Sequence, residues 1–222
     1  MIIMKTKIGL IRVMTLTEDV IRATEEKLES IYEGIEVSTI SIMDQPDGVH
    51  GEESYNRAEP KVVEAAKALE GMGVKGILVN CAADPGVKKA RKAVNIPVIG
   101  AGSASALVAK STDLKVGVIG IIDECPEAIR IVLGDLIVGN LVPDNVETAV
   151  DLSNEAIIDS MKACGRELMS RGAQCILLTC TGMSPIGAAT KLREYLGIPV
   201  IDPMVASMNS LYHITTGKPK LV

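Results

Sequence analysis

Apolar and polar positions along the chain fall into two alternating textures. Short, nearly continuous apolar runs are IGLIRV (8–13), IEVSTISI (35–42), GILVN (76–80) and IPVIG (96–100). Between them, apolar residues recur every three or four positions, as in DVIRATEEKLESI (19–31), EPKVVEAAKALEGM (59–72) and the shorter VKKARKAV (87–94). The first texture is that of strands buried on both faces and the second that of amphipathic helices covering them, so together they predict a parallel sheet.

The second half repeats the plan. KVGVIGIID (115–123) parallels KIGLIRVMT (7–15) at an offset of 108, PEAIRIVLGDLI (126–137) takes the place of the first helix, and NEAIIDSMKACGRELMSRG (154–172) that of the second. ILLTC (176–180) then matches ILVNC (77–81) at an offset of 99, and IPVID (198–202) matches IPVIG (96–100) at 102. Matches in constant order with small drifts of offset predict an α/β protein of two pseudo-symmetric, doubly wound parallel-sheet lobes, with the active site in the cleft between them. Each IPVI run leads into a small-residue helix, SASALVAK (103–110) and VASMNSLYHI (205–214). The first is expected to carry the chain across to the second lobe and the second to pack back on the first. The expected units are therefore residues 1–100 with the C-terminal helix 204–222, and residues 101–203.

Composition narrows the function classes. A chain of 222 residues with 47% hydrophobic content can bury a sizeable core. A net charge of −5, with Trp 0, Phe 0 and Tyr 4, offers neither a basic stripe nor stacking surface, which argues against a nucleic-acid partner. Lys5, Lys7 and Arg12 interrupt the apolar N-terminus, and no run approaches the roughly 18 apolar residues of a membrane span, so no membrane association is expected. Five cysteines lack framework spacing and point to reduced thiols in the cytoplasm. With only His50 and His213 and no C-x-x-C, a Cys/His zinc site has few ligands to draw on and no metal is expected. A homo-oligomer, a dimer or higher, is expected from the size of the fold alone.

The chemistry lies where two matching strands end in a thiol, at Cys81 and Cys180. Ligands of open parallel sheets bind beyond the carboxyl ends of the strands. Both cysteines are followed by small residues, Ala82-Ala83 and Thr181-Gly182, and then by proline-containing turns, so the backbone can approach a substrate closely. Inverting a carbon stereocentre needs a proton removed from one face and returned to the other, which two thiols on opposite sides of a cleft can do. A following helix N-terminus would bring a thiol from about 8.5 toward neutrality. The amides of Ala82, Ala83, Thr181 and Gly182 are candidates to stabilise the carbanion. Cys164 and Cys175 fit core positions. Cys125 aligns with Thr17 beyond the first strand of its lobe, and the pattern leaves open whether it reaches the cleft.

Cys81-x-x-Asp84-Pro85-Gly86 and Cys180-Thr181-Gly182-Met183, each with an IPVI segment downstream, resemble the aspartate/glutamate/hydantoin racemase superfamily, within it the hydantoin and allantoin racemase branch. The resemblance implies cofactor-independent racemisation or epimerisation by the two cysteines, with a hydantoin-like or amino-acid-like small molecule as substrate. It also implies substrate binding by Thr181, which matches the threonine after the second cysteine of amino-acid racemases. Ala82-Ala83 replaces the Asn-Thr of those enzymes, with Asn80 preceding the thiol instead. Arg12-Val13-Met14-Thr15-Leu16-Thr17 stands where hydantoin racemases carry an asparagine- and proline-rich turn, and Thr15 is the substrate-binding candidate there. The polar segment 43–60 is read as a loop on the cleft side, with His50, Tyr55 and Arg57 as its gripping residues. Competing readings are a maleate-isomerase-like or decarboxylase-like cysteine enzyme of the same superfamily, a redox sensor, and a non-catalytic two-lobe binding protein.

Overall fold

A computed structural model of the chain describes residues 5–153 and 156–218. The described residues build two four-stranded parallel sheets on one plan. β1 (Thr6–Arg12), β2 (Ile35–Ser41), β3 (Ile77–Asn80) and β4 (Val98–Gly100) lie in the order β2-β1-β3-β4. β5 (Val116–Ile119), β6 (Ile137–Leu141), β7 (Cys175–Leu178) and β8 (Val200–Ile201) lie in the order β6-β5-β7-β8. The helices of the first half are α1 (Glu18–Ile31), α2 (Glu52–Gly71), α3 (Val87–Ala93) and α4 (Ala101–Lys110). Those of the second are α5 (Glu127–Leu133), α6 (Ile157–Ser170), α7 (Ala188–Leu196) and α8 (Pro203–Thr216).

The continuous apolar runs are strands covered on both faces. Along β1 and β3, Ile11, Ile77 and Val79 enter a core with Val62, Ala66 and Leu69 of α2 and with Val87 and Ala90 of α3. Their neighbours Ile8, Leu10 and Leu78 enter another core with Met208, Leu211 and Tyr212 of α8. Because strand side chains alternate between faces, no polar position is left from Ile8 to Ile11 or from Ile77 to Val79, and polar residues return only at the carboxyl ends, at Arg12 and Asn80.

The closing helices are exchanged between the lobes. Ala106 and Ala109 of α4 pack with Val116, Val118 and Leu177 of the second sheet, while α8 covers the first. Small residues permit the close approaches. A Cβ at Gly76 would lie 2.8 Å from side-chain atoms of Leu211 and Thr215 in α8, and one at Gly102 would lie 2.0 Å from the Ala82 carbonyl oxygen. Tyr32 and Tyr212 fasten α8 further, with ring centroids 5.3 Å apart and the Tyr212 hydroxyl donating to the Glu33 carbonyl.

Three elements differ from the sequence reading. Residues 52–60 are not loop but the first turns of α2, in which Pro60 is internal. The predicted helix 126–137 stops at Leu133, and after Gly134, at φ +52°, the chain forms the edge strand β6. Helix α7 was not predicted. The predicted helix 154–172 is observed as α6 from Ile157, residues 154 and 155 lying outside the described residues. The C-terminal helix ends at Thr216, before Gly217 at φ +67°, and residues 219–222 of the expected span lie outside the described residues. Among the described residues no helix is long and apolar enough to cross a membrane.

Candidate active site

The carboxyl ends of β3 and β7 lead into turns of similar purpose and different construction. After Cys81 the chain turns through Asp84, at φ +54°, and Gly86, at φ +71°. The Asp84 carboxylate accepts hydrogen bonds from the backbone N–H groups of Gly102 (2.7 Å) and Ser103 (2.9 Å), which fastens the turn to the start of α4. Only a residue without a side chain fits at Gly86, where a Cβ would lie 2.7 Å from the Glu59 carbonyl oxygen. After Cys180 the chain forms a 3₁₀ turn over Thr181–Met183. The Ser184 hydroxyl donates to Asp202 Oδ1 (2.6 Å), and that carboxylate caps α8 by accepting from the N–H groups of Met204 and Val205. The Thr181 hydroxyl donates to the Asn80 carbonyl (3.3 Å), joining the two turns directly.

Cys81 and Cys180 line one cavity of about 80 Å³, together with Asn80, Ala82, Ala83, Thr181 and Gly182. It shares Val49, Ala83, Ile122 and Pro126 with a larger hollow of about 630 Å³ that Tyr55, Lys88, Arg91 and Cys125 also line. Residues 8–211 match the sequence profile of the Asp/Glu/Hydantoin racemase family. The chain belongs to that family. It is 29% identical over 159 residues to hydantoin racemase of Pseudomonas sp. (strain NS671), covering 67% of this chain and 61% of that protein. Against hydantoin racemase of Rhizobium meliloti it is 26% identical over 195 residues, covering 84% and 79%. The fold is similar to that of allantoin racemase from Klebsiella pneumoniae, with a TM-score of 0.78 at 21% identity, covering 98% of this chain and 91% of that one. Allantoin racemase from Pseudomonas fluorescens superposes with a TM-score of 0.76 at 17% identity, covering 97% and 94%.

In this racemase-family cleft the thiols are enclosed. Cys180 is 8% exposed and packs at the edge of the second lobe's core, and Cys81 is half-buried against the first. Burial pushes the Cys81 thiol up to about 12, against the N–H groups of Ala83 and Asp84 that face it. Burial pushes Cys180 up to about 11, against the Gly182 N–H and the charge of Arg12. The expected lowering by a helix N-terminus is thus overturned. Helix α3 begins only at Val87, and the turn after Cys180 has three residues, too few to build a dipole. The amides of Ala83 and Gly182 face sulfur.

Asn80 is 5% exposed, and its Oδ1 is buried without a hydrogen-bond partner. A buried acceptor left unmet costs about 1–3 kcal/mol, and here it borders the thiol cavity, where a ligand N–H would satisfy it. Thr15 is placed elsewhere. Its hydroxyl donates to the Ile42 carbonyl and accepts from the Gln45 N–H, holding the loop that brings Gly48 and Val49 to the cavity wall. Of the three gripping candidates, Tyr55 lines the larger hollow, while Arg57 is engaged by Gln45 and Glu53. His50 lies beside the wall residue Val49, with Nδ1 buried and unpartnered. Sequence reasoning passed over Arg12 as a cavity residue, although its repeat partner at the 108 offset is Gly120, an unlike pair at otherwise similar strand ends. Among the described residues no group of three His, Cys, Asp or Glu could hold a metal ion.

Proposed function

We propose that the protein is a cofactor-independent racemase or epimerase in which Cys81 and Cys180 act as acid and base on opposite faces of a carbon. The substrate is a small, hydantoin-like or amino-acid-like molecule whose acidic C–H adjoins a carbonyl. The observation that carries the reading is that thiols from equivalent positions of the two lobes line one small cavity. Family membership and the hydantoin racemase relatives support it. One thiolate takes the proton, the electron pair moves to the neighbouring carbonyl oxygen, and the opposite thiol returns a proton to the other face. Asn80 Oδ1 accepts a substrate N–H, and the Thr181 hydroxyl keeps the two turns at a fixed spacing. Because both sulfurs must stay free for this chemistry, a reducing compartment such as the cytoplasm suits it.

Single enantiomers of 5-substituted hydantoins, allantoin, aspartate and glutamate, incubated in deuterated water, test the proposal. Racemisation with deuterium entering the reacting carbon is expected for at least one. Cys81→Ser and Cys180→Ser should each lower racemisation about 10²–10⁴-fold, while each retains solvent exchange from one enantiomer only. Full racemisation by either variant would remove the two-thiol mechanism.

A further inference from the structure

Apart from the sulfurs, the polar side chains of the thiol cavity that no neighbour engages form a pair, both from the first lobe. Arg12 ends β1, Asn80 ends β3, and the two are partners in the β1–β3 register. Register partners on neighbouring strands leave the sheet on the same face, about 4.8 Å apart. Their counterparts in the second lobe are Gly120 and Thr179, at the offsets of 108 and 99. A Cβ at Gly120 would lie 2.5 Å from Thr179 Oγ1, so no side chain fits there, and the Thr179 hydroxyl already donates to the Ile119 carbonyl.

Arg12 is the one charged side chain in the wall of the cavity. Among the described residues its half-buried guanidinium forms no ion pair with a carboxylate and no hydrogen bond. The other arginines hold a partner in the fold, as Arg91 and Arg193 do on the carbonyls of Val98 and Val200, or stand exposed, as Arg22 and Arg130 do. A partly enclosed cation without an anion is costly, and burial accordingly acts against its charge. The turn amides of Ala83 and Gly182 face sulfur, so they are not free to hold a ligand oxygen. The wall therefore offers an incoming molecule a fork of N–H donors at Arg12 and, beside it, an acceptor at Asn80 Oδ1. A molecule that answers both carries an oxygen and an N–H side by side, and its oxygen holds or gains negative charge.

We propose that Arg12 is a catalytic residue that binds the carbonyl oxygen next to the reacting carbon and stabilises the enolate formed there, while Asn80 holds a neighbouring N–H of the same molecule. As the C–H bond breaks, the proton passes to one cysteine sulfur and the electron pair forms a double bond to the carbonyl carbon. The carbonyl π pair moves onto oxygen, and that oxygen, now anionic, stays in the guanidinium fork. When the opposite sulfur returns a proton to the other face, the pair goes back to the reacting carbon and the oxygen is a carbonyl again. Arg12 gives up no proton in either step. A fixed charge acts most strongly where the oxygen carries most charge, so its contribution falls on kcat rather than on KM. The enolate role rests on the racemase reading above, and the binding of an anionic oxygen at Arg12 does not.

Calorimetric titration with two planar probes of one shape tests the binding part. Pyrrole-2-carboxylate presents an anionic oxygen beside an N–H, and pyrrole-2-carboxamide presents a neutral oxygen in the same place. The wild-type protein is expected to bind the carboxylate at least about tenfold more tightly than the carboxamide, R12Q to lose that preference, and R12K to keep part of it. A wild-type protein that holds the carboxylate no more tightly than the carboxamide overturns the proposal, and this comparison decides even if R12Q does not fold. A preference unchanged in R12Q overturns it as well, and so does a lowered melting temperature with both probes weakened alike, which marks a structural residue. For an enantiomer that the wild-type protein racemises, R12Q should lower kcat about 10²–10³-fold with little change in KM. Undiminished kcat in R12Q would remove Arg12 from catalysis and leave the two-thiol reading standing. Carboxylate binding that depends on Arg12, in a protein that racemises nothing, would sink the racemase reading and leave Arg12 as an anion-binding residue.

Discussion

Asn80 separates what the chain gains in stability from what it holds ready for a ligand. Its side-chain oxygen is buried and unmet, so Asn80→Ala removes a group whose burial costs free energy. The expected outcome is a melting temperature unchanged or raised, together with a KM for hydantoins raised about tenfold and kcat lowered less, measured by steady-state kinetics and thermal denaturation. A drop in melting temperature with KM unchanged would make Asn80 a structural residue. At this scale the two thiols were legible because the repeat placed them at matching strand ends. Arg12 was not, because nothing in a list of strand residues tells a solvated guanidinium from one turned into a cavity. The contrast between Arg12 and Gly120 was present in the sequence, but its meaning depends on the cavity that both strand ends border. Thr15 sat in the right loop and was drawn instead into the backbone hydrogen bonds that shape it.

Strands β3 and β7 were readable as continuous apolar runs, but three elements were hidden for separate physical reasons. The first turns of α2 are polar nearly all round, so no apolar period marks them, and Pro60 reads as a stop although the helix carries it internally. β6 is a half-buried edge strand in the run IVGNL, which follows helix-like residues without a clear break. α7 is short, with Ala188, Ala189 and Leu192 as its buried residues. Close packing between elements supplies a sharper test. Alanine is favoured over glycine within a helix by about 1 kcal/mol, yet Gly102→Ala would drive a Cβ to 2.0 Å from the Ala82 carbonyl beside Cys81. The clash should win, with a loss of about 1–3 kcal/mol in urea denaturation and a larger proportional loss of racemisation. Gly187→Ala is the control, since nothing lies within 4 Å of its Cβ position and only its φ of +66° resists the change. Equal effects on activity would show that the turn after Cys81 tolerates displacement.

Across the whole molecule, the two-lobe plan and the cleft followed from the order of the repeats, and the enclosure of the thiols did not. That enclosure has a sign in pH. Cys81 and Cys180 are raised from an ordinary value of 9.0 to about 12 and about 11. Their folded-state preference for the protonated form is therefore fully present below pH 9. It is lost as pH rises from 9 through about 12, where the unfolded chain ionises first. Urea midpoints should fall between pH 8 and pH 10.5 in the wild-type protein and fall less in the Cys81→Ala/Cys180→Ala double variant. Parallel declines would mean that the thiols ionise as freely in the folded protein as in the unfolded one.

The exchange of α4 and α8 also sets an order of events during synthesis. On the ribosome, the first sheet emerges complete by Gly100 with Leu28 of α1 already available to the face bearing Ile8, Leu10 and Leu78, yet Met208, Leu211 and Tyr212 of that core arrive only with α8. The nascent first half therefore waits with part of that greasy surface bare through the translation of the second. Its cover is completed only when α8 docks.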